Sequence, residues 1–297
     1  ISDRLAFRQA QTAISSYYML QNGFQIDYET PVFGPPWKIP FEFPTYQLIV
    51  AAFAKTTSLG LDLSGRIISI CFFLGCLYPI WCILGQLKVK KEVRIIGLAF
   101  FLTSPMYVFW ARTFMIETCA LFLSLMSVKY ALKFIHTEKG NSLILVTASA
   151  FAILAGATKI TTLFPAVGFT VLCLVAYRLT DRKKPIINAF KLRDLLVLLF
   201  FAILPVITTK IWIHHTDILK SESAFSLADF IVSKALNQWN FGTIDLRLSA
   251  ELWQRFYTYG LEYILGRGWL AGIFGILAIL SPRKLIYPII AFVAFCA

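Results

Sequence analysis

The chain has 297 residues, 58% of them hydrophobic and 15% charged, with mean hydropathy +0.70 and formal net charge +12. Ordinary soluble domains are about 45–50% apolar and about 25% charged, so composition excludes that class, and the lack of ~10-residue alternating segments excludes a transmembrane β-barrel. The expectation is an all-α, polytopic transmembrane helical bundle, whose basic excess marks the inner side of a membrane and not a nucleic-acid surface.

The first 46 residues are too polar for a bilayer. Ala6, Ala10, Ala13, Tyr17 and Leu20 alternate at i+4 and i+3 spacing, and Arg4, Arg8, Gln11 and Ser15 form a polar face. This predicts an amphipathic helix over 3–22 lying along the membrane surface. Ser2 or Asp3 would cap its start and Asn22-Gly23 would end it. Five prolines make 24–44 a loop. The apolar stretch 45–60 is short and interrupted by Lys55, so it reads as a second interfacial helix.

Membrane spans are expected at 66–86, 95–111, 114–132, 142–158, 160–177, 195–213, roughly 262–280 and from 285 onward, several of them reaching the ~20 residues a crossing needs. The apolar stretch from Ser142 to Tyr177 is too long for one span, and Gly156-Ala157-Thr158-Lys159 is expected to be the tight turn of a hairpin. The predicted divisions are a first extracytoplasmic loop over 1–65, a membrane core over 66–213, a second extracytoplasmic loop over 214–261 and C-terminal spans over 262–297. With the first loop outside, the inner links are 87–94, 133–142, 178–194 and 281–284. These hold 14 of the chain's 28 Lys and Arg on about 40 residues, a density bias of the sign the positive-inside rule requires. No Met opens the chain and Ala297 falls inside an apolar run, so a fragment of a longer protein is expected.

All six cysteines lie in apolar runs and read as packing residues. His214-His215 with Asp217 has poor metal geometry, because adjacent helical residues point to different faces. The aromatics of 225–259 fit a loop core or an interfacial belt better than sugar-stacking platforms, the other reading open to them.

Ionisable groups at span ends are expensive unless they meet a partner or a cavity, which singles out Arg112, Glu117, Lys159 and Arg267. Asp3, Asp27, Glu29 and Glu42 are the acids of the first loop. Carboxylates and cations at one interface suit sugar transfer from a lipid phosphate. A carboxylate takes the acceptor's proton, and cations hold the departing phosphate.

Residues 3–13 (Asp-Arg-Leu-Ala-Phe-Arg-Gln-Ala-Gln-Thr-Ala), then Asn22-Gly23-Phe24, then Glu42-Phe43-Pro44-Thr45-Tyr46, resemble the first periplasmic loop of bacterial C-type (GT-C) glycosyltransferases. These are relatives of protein O-mannosyltransferases and the lipid A aminoarabinose transferase. Ser104-Pro105-Met106-Tyr107, Arg112 to Glu117, and Ala157-Thr158-Lys159 resemble that family's next patterned stretches, so the likeness covers about residues 1–180.

The resemblance implies an integral-membrane, inverting glycosyltransferase of a bacterial inner membrane, with its active face extracytoplasmic. It would take sugar from a polyprenyl-phosphate donor to a hydroxyl on a lipid, glycan or protein. By position in that family Asp3 is the catalytic base, and the charges read above from the residues themselves, Arg8, Glu42, Arg112, Glu117, Lys159 and Arg267, would be donor-phosphate or substrate contacts. A divalent metal stays open as cofactor, with no ligand assigned. Two positions depart from the family: Arg4 stands where a second acid is common, and Glu42 where some members have Lys. Each residue also has a plainer reading. Asp3 serves as an N-cap, Arg4 and Arg8 touch headgroups, Glu42 is solvated, and Lys159 snorkels. A transporter or flippase of lipid-linked saccharides is the alternative function, and would call for charges near the bilayer midplane.

Overall fold

The computed structural model describes residues 6–31, 35, 37–137, 141–180, 192–222, 232–234 and 242–264. Its helices, in chain order, are α1 (Ala6–Asn22), α2 (Thr45–Thr57), α3 (Leu61–Gly75), α4 (Leu77–Gln86), α5 (Lys91–Thr103), α6 (Pro105–Ala111), α7 (Glu117–His136), α8 (Ser142–Thr180), α9 (Leu192–Val197), α10 (Leu204–Ser221), α11 (Ile244–Leu248) and α12 (Ala250–Tyr259). A π-helical stretch, Leu198–Ile203, joins α9 to α10. Among the described residues there is no strand, only an isolated antiparallel bridge between Glu29 and Lys38.

Four helical stretches are long and apolar enough to cross a membrane: Leu61–Gln86, Glu117–His136, Ser142–Arg178 and Asp194–Ser221. The α5–α6 pair makes a fifth if it counts as one broken span. Its break is local chemistry. Pro105 is the first residue of α6 and pushes Ser104 into extended backbone (φ −61, ψ 123), so the expected single span 95–111 is interrupted. The chain forms two compact units. The first comprises Ile1–Ile70, Ser104–Ile116 and Lys210–Ala271, the second Cys71–Thr103, Glu117–Thr209 and Gly272–Ala297.

In the first unit α1 packs on α2 around Met19, Tyr28 and Ala51. The helix is where the sequence places it. Gln9, Thr12, Ser15, Ser16 and Met19 face inward, while Ala6, Ala10 and Tyr17 of the predicted stripe are exposed. The hydroxyls make this polar packing possible. Thr12, Ser15 and Ser16 donate to the carbonyls of Arg8, Gln11 and Thr12 at 3.0–3.1 Å, so they enter the packed face already satisfied. Their small size also lets α2 approach. Gly23 ends α1 with φ 92, a conformation that glycine adopts freely. At 13 residues, α2 is about 20 Å long, short of the ~30 Å hydrocarbon core.

Two hydrogen bonds fasten the link between α6 and α7 to α1 and α3, and a third joins α2 to α3 beside it. The Phe114 N–H donates to Gln9 Oε1 (3.1 Å). The Ser69 hydroxyl donates to the Thr113 carbonyl (2.7 Å), and the Tyr46 hydroxyl to the Gly65 carbonyl (2.8 Å). Gly65 is required here, since a Cβ would stand 2.2 Å from the buried Phe114 ring. Farther along, α10 runs to Ser221, so His214, His215 and Asp217 are helical and not the start of a loop as expected. Hydropathy falls at His214, but no helix breaker follows, and Thr216 and Lys220 turn inward. Thr243 and Ser249 cap α11 and α12, accepting from the N–H groups of Leu246 and Leu252. Trp253, Phe256 and Tyr257 of α12 are exposed and so do not form a loop core.

The second unit is built around α7, whose Cys119, Ala120, Val128, Ala131 and Leu132 are fully buried. Ala148, Ala152 and Ala155 of α8 are fully buried too, a small-residue stripe that allows close helix approach. α8 is helical throughout except at Lys159 (φ −161, ψ 95). Ring contacts show that it folds back there. Tyr130 stacks on Phe151 (5.9 Å) and His136 meets Tyr177 edge-on (4.9 Å). Tyr130 and His136 are about 9 Å apart along α7, whereas Phe151 and Tyr177 would be about 39 Å apart on a straight helix. The expected hairpin is therefore present, closed by one extended residue. Its turn lies at the Glu117 end of α7. The links after α4 and α7 and the Arg178–Asp194 ion pair (2.7 Å) lie at the other end. The described ends of three of the four expected basic links thus lie at one end of this unit. The fourth, 281–284, and the spans 262–280 and 285 onward lie outside the described residues, apart from the first residues of the 262–280 span.

Candidate functional site

Of the expected site residues, Asp3 and Arg267 lie outside the described residues. Arg8, Glu42 and Arg112 belong to the first unit, Glu117 and Lys159 to the second.

In the first unit the loop after α1 folds around Tyr28, which is 2% exposed. Its hydroxyl accepts from the Phe41 N–H (2.8 Å) and donates to the Glu42 carbonyl (3.1 Å). Burial pushes the phenol well above its usual range and the Glu42 charge adds to this, while the Phe41 hydrogen bond and Arg8 act the other way. The neutral phenol can therefore serve as both donor and acceptor. The Glu42 side chain accepts from Gln47 Nε2 (3.1 Å). α10 closes this cluster from the other side. Trp212 donates to the Phe41 carbonyl (3.1 Å) and meets the Phe43 ring edge-on. Lys220 lies over the Phe41 ring (5.1 Å) and 3.7 Å from Asp217. His215 Nε2 pairs with Asp27 (2.7 Å).

Arg112 lies on a cavity of about 490 Å³ in the same unit. Leu63, Ile67 and Ile70 of α3 and Phe109 of α6 give it apolar walls, and Arg66 and Arg112 supply its charge. Arg66 is held by Asp62 (3.0 Å) and donates to the Arg112 carbonyl (2.7 Å). Two guanidiniums beside an apolar hollow suit the phosphate of an amphiphile, since guanidinium forks match phosphate oxygens.

In the second unit Glu117 and Lys159 meet at 2.8 Å, with side chains 12% and 31% exposed. Glu117 opens α7, where the helix dipole favours a negative charge. Its Oε2 is buried and meets no donor among the described residues. The pair locks the turn of α8 to the first turn of α7. Among the described residues, no group of three or more His, Cys, Asp or Glu is placed to hold a metal ion.

Sequence reasoning missed Arg66, Tyr28, Lys220 and Lys129. Arg66 satisfied the span-end criterion at the first residue of the expected span 66–86. Lys129 sat inside the expected span 114–132 and called for a partner by the same rule. Tyr28 and Lys220 carried no local signal, because their importance comes from contacts between distant segments.

Comparison with protein-family models, curated proteins and solved structures finds no match to this chain.

Proposed function

We propose that the protein is an integral-membrane glycosyltransferase that moves a sugar from a polyprenyl-phosphate donor to a hydroxyl acceptor on the extracytoplasmic side. The observation that carries this reading is the cavity of Arg66 and Arg112, with apolar walls for the lipid and paired guanidiniums for its phosphate. α1, the helix that Asp3 is expected to open, is bonded through Gln9 to the link that carries Arg112.

In the transfer, Asp3 takes the proton of the acceptor hydroxyl, and the acceptor oxygen attacks the anomeric carbon. The bond from that carbon to the phosphate oxygen breaks, its electron pair leaves with polyprenyl phosphate, and Arg112 and Arg66 stabilise the charge. Configuration at the anomeric carbon inverts. The acceptor is a lipid, glycan or protein.

The test is transfer from a polyprenyl-phosphate sugar by the full chain reconstituted in vesicles. Arg112→Ala should lower kcat/KM by about 10²-fold or more, the scale of losing one preorganised charge contact. Asp3→Asn should abolish turnover while donor binding persists. Near-normal turnover by Asp3→Asn would sink the assignment of the base, and absence of transfer to any hydroxyl acceptor would sink the reaction.

A further inference from the structure

Lys129 is a buried ammonium within the stretch of α7 able to cross a membrane, 6% exposed and with no carboxylate within 4 Å among the described residues. Its surroundings are aromatic. The charge lies 4.2 Å from the ring centroids of both Tyr78 and Tyr130. Cation–π attraction offsets part of the burial cost, but it leaves the net charge in place.

The hydrogen bond at this position has a direction. Lys129 Nζ donates to the Tyr78 hydroxyl oxygen (2.9 Å). The ammonium has no acceptor capacity, so the Tyr78 proton must point elsewhere. Among the described residues it meets no acceptor. Tyr78 is 57% exposed, on the outer surface of α4. A phenol that accepts from an ammonium is a polarised donor, and this one is turned to the surroundings of the unit.

Depth fits the same reading. Trp81, one turn after Tyr78, lies under the Arg94 guanidinium (5.3 Å). Lys133, one turn after Lys129, is exposed. These residues mark the level where aromatic belts and basic side chains meet headgroups, at the basic end of this unit.

We propose that Lys129 and Tyr78, flanked by Lys133, form a binding site for the phosphate of an anionic phospholipid resident in the leaflet at the basic end. Tyr78 donates to a phosphate oxygen, Lys129 supplies the compensating charge from beneath, and the acyl chains lie along α4. The site does not depend on the transfer reaction.

The full chain purified in detergent is offered phosphatidylglycerol and phosphatidylcholine at equal concentration, and bound lipid is counted by native mass spectrometry. The unmodified protein should retain phosphatidylglycerol preferentially. Tyr78→Phe keeps the ring over Lys129 and deletes only the hydroxyl. It should cut that preference about tenfold, the equivalent of one charge-assisted hydrogen bond. Lys129→Met should remove the preference while leaving the overall helix content unchanged. Equal retention of the two lipids by the unmodified protein overturns the proposal, as does an undiminished preference in Tyr78→Phe. Displacement of bound phosphatidylglycerol by equimolar polyprenyl monophosphate overturns the assignment to a resident phospholipid.

Discussion

Tyr28 and the Glu117–Lys159 pair are single-residue devices whose worth can be measured. Tyr28→Phe removes one accepted and one donated hydrogen bond from a buried loop and should cost about 1–3 kcal/mol. It should also change the alkaline limb of stability. The folded phenol holds its proton above the ordinary tyrosine range, so its contribution is complete below about pH 10 and is lost as pH rises through the folded value. Thermal melts should fall less steeply above pH 10 in Tyr28→Phe than in the unmodified chain, and a steeper fall would refute the burial argument. For Glu117–Lys159, either single neutral replacement breaks the ion pair. Glu117→Gln combined with Lys159→Met should be more stable than the sum of the two single losses, with coupling of about 1–3 kcal/mol in a double-mutant cycle. Additive losses would mean that the two do not act as a pair. Both residues were legible in the sequence because a charge at a span end is costly. Their pairing was not, since 42 positions separate them.

At the scale of elements, the locations were readable and the faces were not. Length and apolar runs placed α1, α2, α7 and both arms of α8 to within a few residues. The packing of Thr12, Ser15 and Ser16 on α2 was not legible, because side-chain polarity read from the sequence leaves out the backbone. A hydroxyl bonded to the carbonyl one turn back is no longer polar to its neighbour, and Thr12, Ser15 and Ser16 all make that bond. The junction of α3 with the α6–α7 link gives a direct test of packing. Gly65→Ala puts a methyl group into the Phe114 ring and should destabilise by about 1–3 kcal/mol, as overpacking does. Combining it with Phe114→Leu should restore part of the loss. Wild-type stability in Gly65→Ala alone would overturn the need for glycine at this contact.

For the whole molecule, the proposed orientation is open to chemical labelling. With the six native cysteines replaced, Phe24→Cys should react with a membrane-impermeant maleimide in intact cells, and Lys91→Cys only after permeabilisation. Equal reactivity at both positions would overturn the outward placement of the first loop. The basic bias was legible from where Lys and Arg fall between the apolar runs, since this pattern needs no knowledge of local packing. The Arg66–Arg112 cavity was not, because three of its apolar walls lie on α3 and one on α6, and no local pattern announces a hollow between helices.

The fold-back at Lys159 has a bearing on parity. A chain that crosses a bilayer an odd number of times changes sides, and one that crosses an even number returns. At 39 residues, α8 as a straight rod would be about 58 Å long, nearly twice the hydrocarbon thickness. Folded at Lys159, each arm is about the length of one pass, and Arg178 returns to the end from which Ser142 set out. One extended residue therefore decides whether this stretch, placed in a bilayer, would leave on the side where it entered.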